Sequence, residues 1–228
     1  MSVVPASLRA RVRSTIERPV AGIFGRLGFS PNALTLVGFA IAIVGAYFAA
    51  RQSWLIAGLI VAFGAVFDLF DGALARATGS VSKFGAFLDS TFDRLGESVV
   101  YIGIFWGLDV ARDIEGATSG GGFLAITAMA ASLMVSYVRA RAEGLGFSPG
   151  TGMASVGFAP REVRMLILVV GLVLTGLVGG VGTMHYPNEA ASIAMYGSLL
   201  IITVLSLLTV IQRILFTYRQ SKSQEVSK

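Results

Sequence analysis

The feature that most constrains this chain is a series of six apolar stretches, at residues 32–50, 53–75, 84–108, 121–143, 162–182 and 190–216. Each is close to the ~20 residues an α-helix needs to cross a bilayer. Turn residues or charge separate them, at Arg51-Gln52-Ser53, Thr78-Gly79-Ser80, Asp109 to Gly122, Gly144 to Pro160 and Tyr186-Pro187-Asn188. No internal repeat or low-complexity linker interrupts the series. Hydrocarbon offers the backbone no hydrogen-bond partners, so helices packed on helices are the expected solution. The expectation is an all-α, polytopic membrane protein whose six transmembrane helices form one domain over residues 29–217.

Composition agrees. Of 228 residues, 54% are hydrophobic and 14% charged, against about 25% charged in soluble domains. The mean hydropathy is +0.75. These values exclude an ordinary soluble enzyme and a disordered chain. There is no cysteine, and His185 is the one histidine. A thiol nucleophile, a disulfide framework and a Cys/His metal site are therefore excluded.

Residues 1–28 lack the continuous apolar run of a signal peptide. Leu8, Val12, Ile16, Val20, Phe24 and Leu27 recur at helical spacing, with Arg9, Arg11, Arg13 and Arg18 mostly between them. This pattern predicts a basic amphipathic helix lying in the membrane interface. Residues 218–228 are short and polar and are expected to be a disordered cytoplasmic tail.

The formal charge of +5 follows from orientation in the membrane. With a cytoplasmic N-terminus, six spans return the C-terminus to the same side. All of the 18 Lys and Arg except Arg51 and Arg112 then lie inside. That is a strong positive-inside pattern. It predicts a multi-pass protein of the cell (inner or plasma) membrane with both termini cytoplasmic. The basic surplus is then a matter of orientation and lipid contact, with no nucleic-acid partner.

Carboxylates are expensive in a membrane and tend to be functional there. Asp68 and Asp71 stand three apart at the end of the second span, and Asp89 and Asp93 four apart at the start of the third. Both spacings place a pair on one helix face. Antiparallel helices joined by a short turn would bring the four together. Unpaired, they would repel each other and resist ionisation, so one or two divalent cations are the natural compensation. Oxygen-only ligands favour hard ions such as magnesium or manganese. The alternative is ion pairing with Arg76, Lys83 and Arg94. Small residues surround the acids: Gly72, Ala73 and Ala75 after the first pair, Gly85 and Ala86 before the second. They allow close approach of a ligand, or close helix packing.

Asp68, Asp71, Gly72, Ala75, Arg76, Gly85, Asp89 and Asp93 together spell DxxDGxxARx8GxxxDxxxD, eight fixed positions over 26 residues. This string matches the signature of the CDP-alcohol phosphatidyltransferase family, and the six-span layout extends the resemblance over almost the whole chain. The resemblance implies transfer of a phosphatidyl-type group from a CDP-linked lipid to an alcohol, with release of CMP. It implies that Asp68, Asp71, Asp89 and Asp93 hold two divalent cations, and that Asp93 is the general base. It places Asp68, Gly72, Ala75, Arg76, Ser82 and Gly85 against the nucleotide and CDP-lipid. Pro31, Asn32 and Thr35 resemble a nucleotide-side motif, and equally read as a helix start with polar capping. The resemblance also implies a homodimer surrounded by membrane lipids.

A second basic group points to the acceptor. Ser136, Arg139 and Glu143 share a face at the end of the fourth span, Arg161 and Arg164 open the fifth, and Arg213 lies near the end of the sixth. Arginines turned inward would form a phosphate site; turned outward, they are ordinary positive-inside flanks. The string SYxRARAE resembles the phosphatidylinositol phosphate synthases of actinobacteria and the archaetidylinositol phosphate synthases of archaea. That resemblance implies a phosphorylated polyol, inositol phosphate, as acceptor. It assigns Ser136, Arg139, Arg161, Arg164 and Arg213 to its phosphate. The subgroup usually reads close to Glu-Arg-Pro-Glu-Arg before the fifth span, whereas this chain has Ala159-Pro160-Arg161-Glu162-Val163-Arg164. Glycerol 3-phosphate, the acceptor of a phosphatidylglycerophosphate synthase, is the alternative. A cation-coupled transporter is a different class, disfavoured because no second acid cluster appears in the later half. A catalytically dead scaffold is disfavoured because all four aspartates are present.

Overall fold

The computed structural model describes Phe24 and residues 28–113, 121–147, 156–179 and 189–226. These residues form six helices: α1 (Pro31–Ala50), α2 (Trp54–Ala77), α3 (Lys83–Asp113), α4 (Gly121–Gly144), α5 (Arg161–Gly179) and α6 (Glu189–Val226). No strand occurs among the described residues. The expected interfacial helix at residues 1–28 lies almost entirely outside them. Its one described aromatic, Phe24, packs on Phe67 and Phe70 of α2, with ring centroids 5.9 and 6.1 Å apart.

Five of the six helices are long and apolar enough to cross a membrane. The exception is α3. It runs for 31 residues, but Asp89, Asp93, Arg94 and Glu97 load its first half with charge. At the other end of the chain, α6 continues to Val226. The segment from Tyr218 is therefore helical where a disordered tail was expected. The preceding turns supply a template to propagate on, and the Lys222 ammonium sits 5.0 Å from the Tyr218 ring centroid.

Local chemistry sets the helix ends near the site. Ser30 caps α1, its hydroxyl accepting from Ala33 N at 3.2 Å, and Pro31 occupies the first turn. Gly79 ends α2 with φ +66°, and Ser80 N closes back on Ala75 O at 3.0 Å. Ser82 then caps α3 by accepting from Gly85 N at 2.9 Å. Between α1 and α2, Gln52 adopts φ 59° and its side chain ties the turn to α3 by donating to Gly107 O at 2.8 Å.

The closest helix pairings are α1–α3, α3–α4, α4–α6, α6–α5, α5–α2 and α2–α1. They close a ring. Consecutive helices α2 and α3 are absent from these pairings, because α1 packs against both. Gly103 and Gly107 of α3 make the α1–α3 approach possible: a Cβ at either would collide with the Ala46 or Ala49 carbonyl. The interior is built from small and branched residues such as Ala57, Ala125, Ala128 and Leu168, while Phe63, Trp106, Phe123 and Ile193 point outward. Outward apolar side chains suit a lipid solvent, where close packing rather than water exclusion drives helix association.

Candidate active site

The wedge of α1 between α2 and α3 leaves a polar gap at one end of the ring. Asp68 and Asp71 enter it from the last turns of α2, and Asp89 and Asp93 from the first turns of α3. Thr35 comes from the start of α1. Its hydroxyl lies 2.9 Å from Asp71 Oδ2 and 3.2 Å from Pro31 O, so it can donate to either. The other Asp71 oxygen accepts from Gly72 N. Asp71 is thereby a buried carboxylate with both oxygens engaged.

The cation among these acids comes from α5. Arg161 donates Nη2 to Asp68 Oδ2 at 2.8 Å and holds Asp93 Oδ1 with Nη1 at 3.0 Å. Expected among the acceptor-phosphate ligands, it here bridges the two helices that carry the acids. Arg94 is only a loose neighbour, 3.6 Å from Asp93 Oδ2, and donates to Ser90 O at 2.7 Å. Among the described residues no three carboxylates converge as a metal-ligating group. Asp68 and Asp93 meet at the Arg161 guanidinium, while Asp71 and Asp89 line a cleft with Thr35.

Two clefts border these acids, the larger at Asp93 and the smaller at Asp71 and Asp89. The smaller, about 290 Å³, is lined by Pro31, Asn32, Thr35, Asp71 and Gly72, then by Ala75, Arg76, Ser82, Gly85 and Asp89. Every residue assigned to the nucleotide side except Asp68 lies on it. Gly72 leaves room for Arg76, whose Nη1 would stand 3.1 Å from a Cβ there. The larger cleft, about 910 Å³, is lined by Asp93, Ser136, Arg139, Arg161, Arg164 and Arg213. All five residues assigned to the acceptor phosphate lie on it. Between the clefts, Asp68, Asp93 and Arg161 line a small pocket with Thr35, Gly38 and Glu97.

The arginines of the larger cleft are not equivalent. Arg164 is 1% exposed and forms a two-pronged pair with Glu97, Nε to Oε1 at 2.9 Å and Nη2 to Oε2 at 2.8 Å. Its Nη1 donates to Ala159 O at 2.9 Å. Arg213, also buried, donates Nη1 to Val135 O at 2.5 Å and Nε to Val156 O at 3.1 Å. Arg139 is the open one, joined among the described residues to Glu143 on its own helix at 2.9 Å. The inward-facing reading therefore applies to Arg164 and Arg213, with three of the five N–H donors of Arg164 and two of those of Arg213 engaged by protein acceptors. Glu97 was missed from the sequence, although it continues the stripe Asp89, Asp93, Glu97 in steps of four.

A ring of apolar helices with aspartates set beside two polar clefts is the architecture of a membrane-embedded enzyme. Residues 29–218 match the family model described as CDP-alcohol phosphatidyltransferase. The chain belongs to that family, and it is a transferase of phospholipid synthesis. It is 36% identical over 209 residues to the archaetidylinositol phosphate synthase of Pyrococcus horikoshii, covering 92% of this chain and 94% of the relative. Its fold is similar to the crystal structure of Mycobacterium tuberculosis phosphatidylinositol phosphate synthase with CDP-DAG bound. The TM-score is 0.72 at 26% identity, covering 89% of this chain and 94% of the other. The crystal structure of the same enzyme in complex with manganese and citrate matches with TM-score 0.72 and 26% identity, over 89% of each chain.

Proposed function

We propose that this protein transfers a phosphatidyl or archaetidyl group from a CDP-linked lipid to a hydroxyl of inositol phosphate. The observation that carries the acceptor assignment is the larger cleft. It gathers Ser136 and five arginines, Arg94 among them, from four helices beside Asp93. A guanidinium matches phosphate geometry, and an acceptor without a phosphate would have no use for this set.

Asp93 borders the larger cleft, whereas Asp71 and Asp89 border the smaller one. The nucleotide therefore belongs in the smaller cleft. The acceptor hydroxyl oxygen, held in the larger cleft, attacks the phosphorus that carries the lipid. A new P–O bond forms, and the bond from that phosphorus to the bridging oxygen breaks. CMP leaves with the electron pair, and Asp93 takes the hydroxyl proton. Arg76 stands in the smaller cleft to face the nucleotide phosphates.

The donor set suits hard divalent cations, magnesium or manganese, with Asp68, Asp71, Asp89 and Asp93 as the holding residues. Gly38 supports this fit, because a Cβ there would come within 2.6 Å of Asp68 Oδ1; its absence leaves that oxygen room to work. Two such ions, when bound, would screen the pyrophosphate and stabilise the departing CMP. The positive-inside pattern supports a cytoplasmic site, since Arg76, Arg139, Arg161 and Arg213 share its end of the ring.

The test is CMP release by purified protein given CDP-diacylglycerol, magnesium or manganese, and either inositol phosphate or glycerol 3-phosphate. Turnover with inositol phosphate well above that with glycerol 3-phosphate is expected. Equal turnover would remove the inositol assignment, and no CMP with either acceptor would remove the transfer.

A further inference from the structure

Arg161 differs from its neighbours in what it holds. Arg164 is locked to Glu97 and a backbone carbonyl, and Arg213 to two carbonyls. Arg161 is bound through two nitrogens to Asp68 and Asp93, both residues of the acid cluster. Its Nε has no hydrogen-bond partner among the described residues. It is the first residue of α5, so its side chain leaves the helix at an end. It lines both the pocket under the aspartates and the larger cleft.

A divalent cation held by Asp68 and Asp93 would sit against the Arg161 guanidinium, which already engages one oxygen of each carboxylate. Two positive groups on the same two carboxylates repel each other strongly. A guanidinium released from Asp68 and Asp93 would have the larger cleft beside it, where a phosphate dianion is the available partner.

We propose that Arg161 couples cation loading to acceptor capture. It holds Asp68 and Asp93 together until a divalent cation binds them, then turns into the larger cleft and binds the acceptor phosphate. Cation and acceptor thereby favour each other, and by linkage the effect is reciprocal. This inference rests on the proposed cation-dependent transfer and adds an order to it.

Mn²⁺ binding to the full-length protein, followed by electron paramagnetic resonance without CDP-lipid, separates the two. Arg161→Ala is expected to bind Mn²⁺ roughly 5-fold tighter or more than wild type, within the usual range of coupling. Arg161→Lys keeps the charge but cannot span both carboxylates, and is expected to fall between them. Mn²⁺ should tighten inositol phosphate binding to wild type several-fold and leave the Arg161→Ala protein's binding unchanged. Equal Mn²⁺ affinity in all three proteins, or an acceptor affinity insensitive to Mn²⁺ in wild type, would overturn the coupling. A wild-type protein with no Mn²⁺ site sensitive to Asp68→Asn would instead overturn the cation reading on which it rests.

Discussion

Glu97 of α3 and Arg164 of α5 clasp each other through two parallel hydrogen bonds with both side chains almost wholly enclosed, at 4% and 1% exposure. The pair joins the helix that carries Asp93 to the helix that carries Arg161, one turn below both. Breaking a buried pair leaves an uncompensated charge and costs about 3–5 kcal/mol. Glu97→Ala is therefore expected to lose stability on that scale, measured by unfolding in mixed micelles. Glu97→Asp, which retains the charge, should recover part of it. An unchanged unfolding midpoint in Glu97→Ala would show that the clasp does not support the bundle.

Arg139 should behave in the opposite way. Its pair with Glu143 is part-exposed, and such pairs contribute about 0–1 kcal/mol. Arg139→Ala is expected to leave stability unchanged while raising the KM for inositol phosphate about 10-fold or more, the loss of one charge-assisted contact. The KM for CDP-diacylglycerol should not move. A rise in both would place Arg139 outside the acceptor cleft's chemistry.

Asp93→Asn removes the proposed proton acceptor and one of the acids held by Arg161. The expected outcome is a fall in kcat of about 10²–10⁴, the usual worth of a positioned general base, with CDP-lipid binding largely retained. Wild-type turnover in this variant would refute the role.

Gly38→Ala tests the room around Asp68. The added Cβ meets Asp68 Oδ1 at 2.6 Å, so the carboxylate must shift. Weaker Mn²⁺ binding and lower turnover are expected, with the helical signal by circular dichroism unchanged. Turnover and Mn²⁺ affinity equal to wild type would mean that Asp68 reaches its ligand position from elsewhere.

Loss of divalent cations should reversibly stop the reaction. Dialysis against EDTA is expected to abolish CMP release and re-addition of magnesium or manganese to restore it. Full activity in EDTA would exclude the oxygen-donor cation site.

Much of this was legible in the sequence because it is local. Helix count came from apolar run length, and the helix faces of the acids from spacings of three and four. The eight-position string led to the family, and Ser136, Arg139 and Glu143 fell on one face as expected. What escaped depends on contacts distant along the chain. Nothing near Asp68 announces that its partner is Arg161, distant in sequence on the neighbouring helix α5. The interposition of α1 between α2 and α3 is set by Gly103 and Gly107 meeting the α1 backbone, which apolar periodicity does not reveal. Glu97 could have been read from its step of four beyond Asp93. That Arg164 and Arg213 are engaged by protein acceptors could not, because the acceptors lie on other segments.

The Asp68–Arg161–Asp93 bridge has one more consequence, in stereochemical terms. The pocket it borders meets the proposed nucleotide cleft at Thr35 and the proposed acceptor cleft at Asp93 and Arg161. For the proposed transfer, the entering oxygen and the departing CMP then lie on opposite faces of the phosphorus. A single displacement of that kind turns the phosphorus inside out. Because that phosphorus carries two equivalent non-bridging oxygens, the inversion would be visible only with a donor made stereogenic there by isotopic or sulfur labelling.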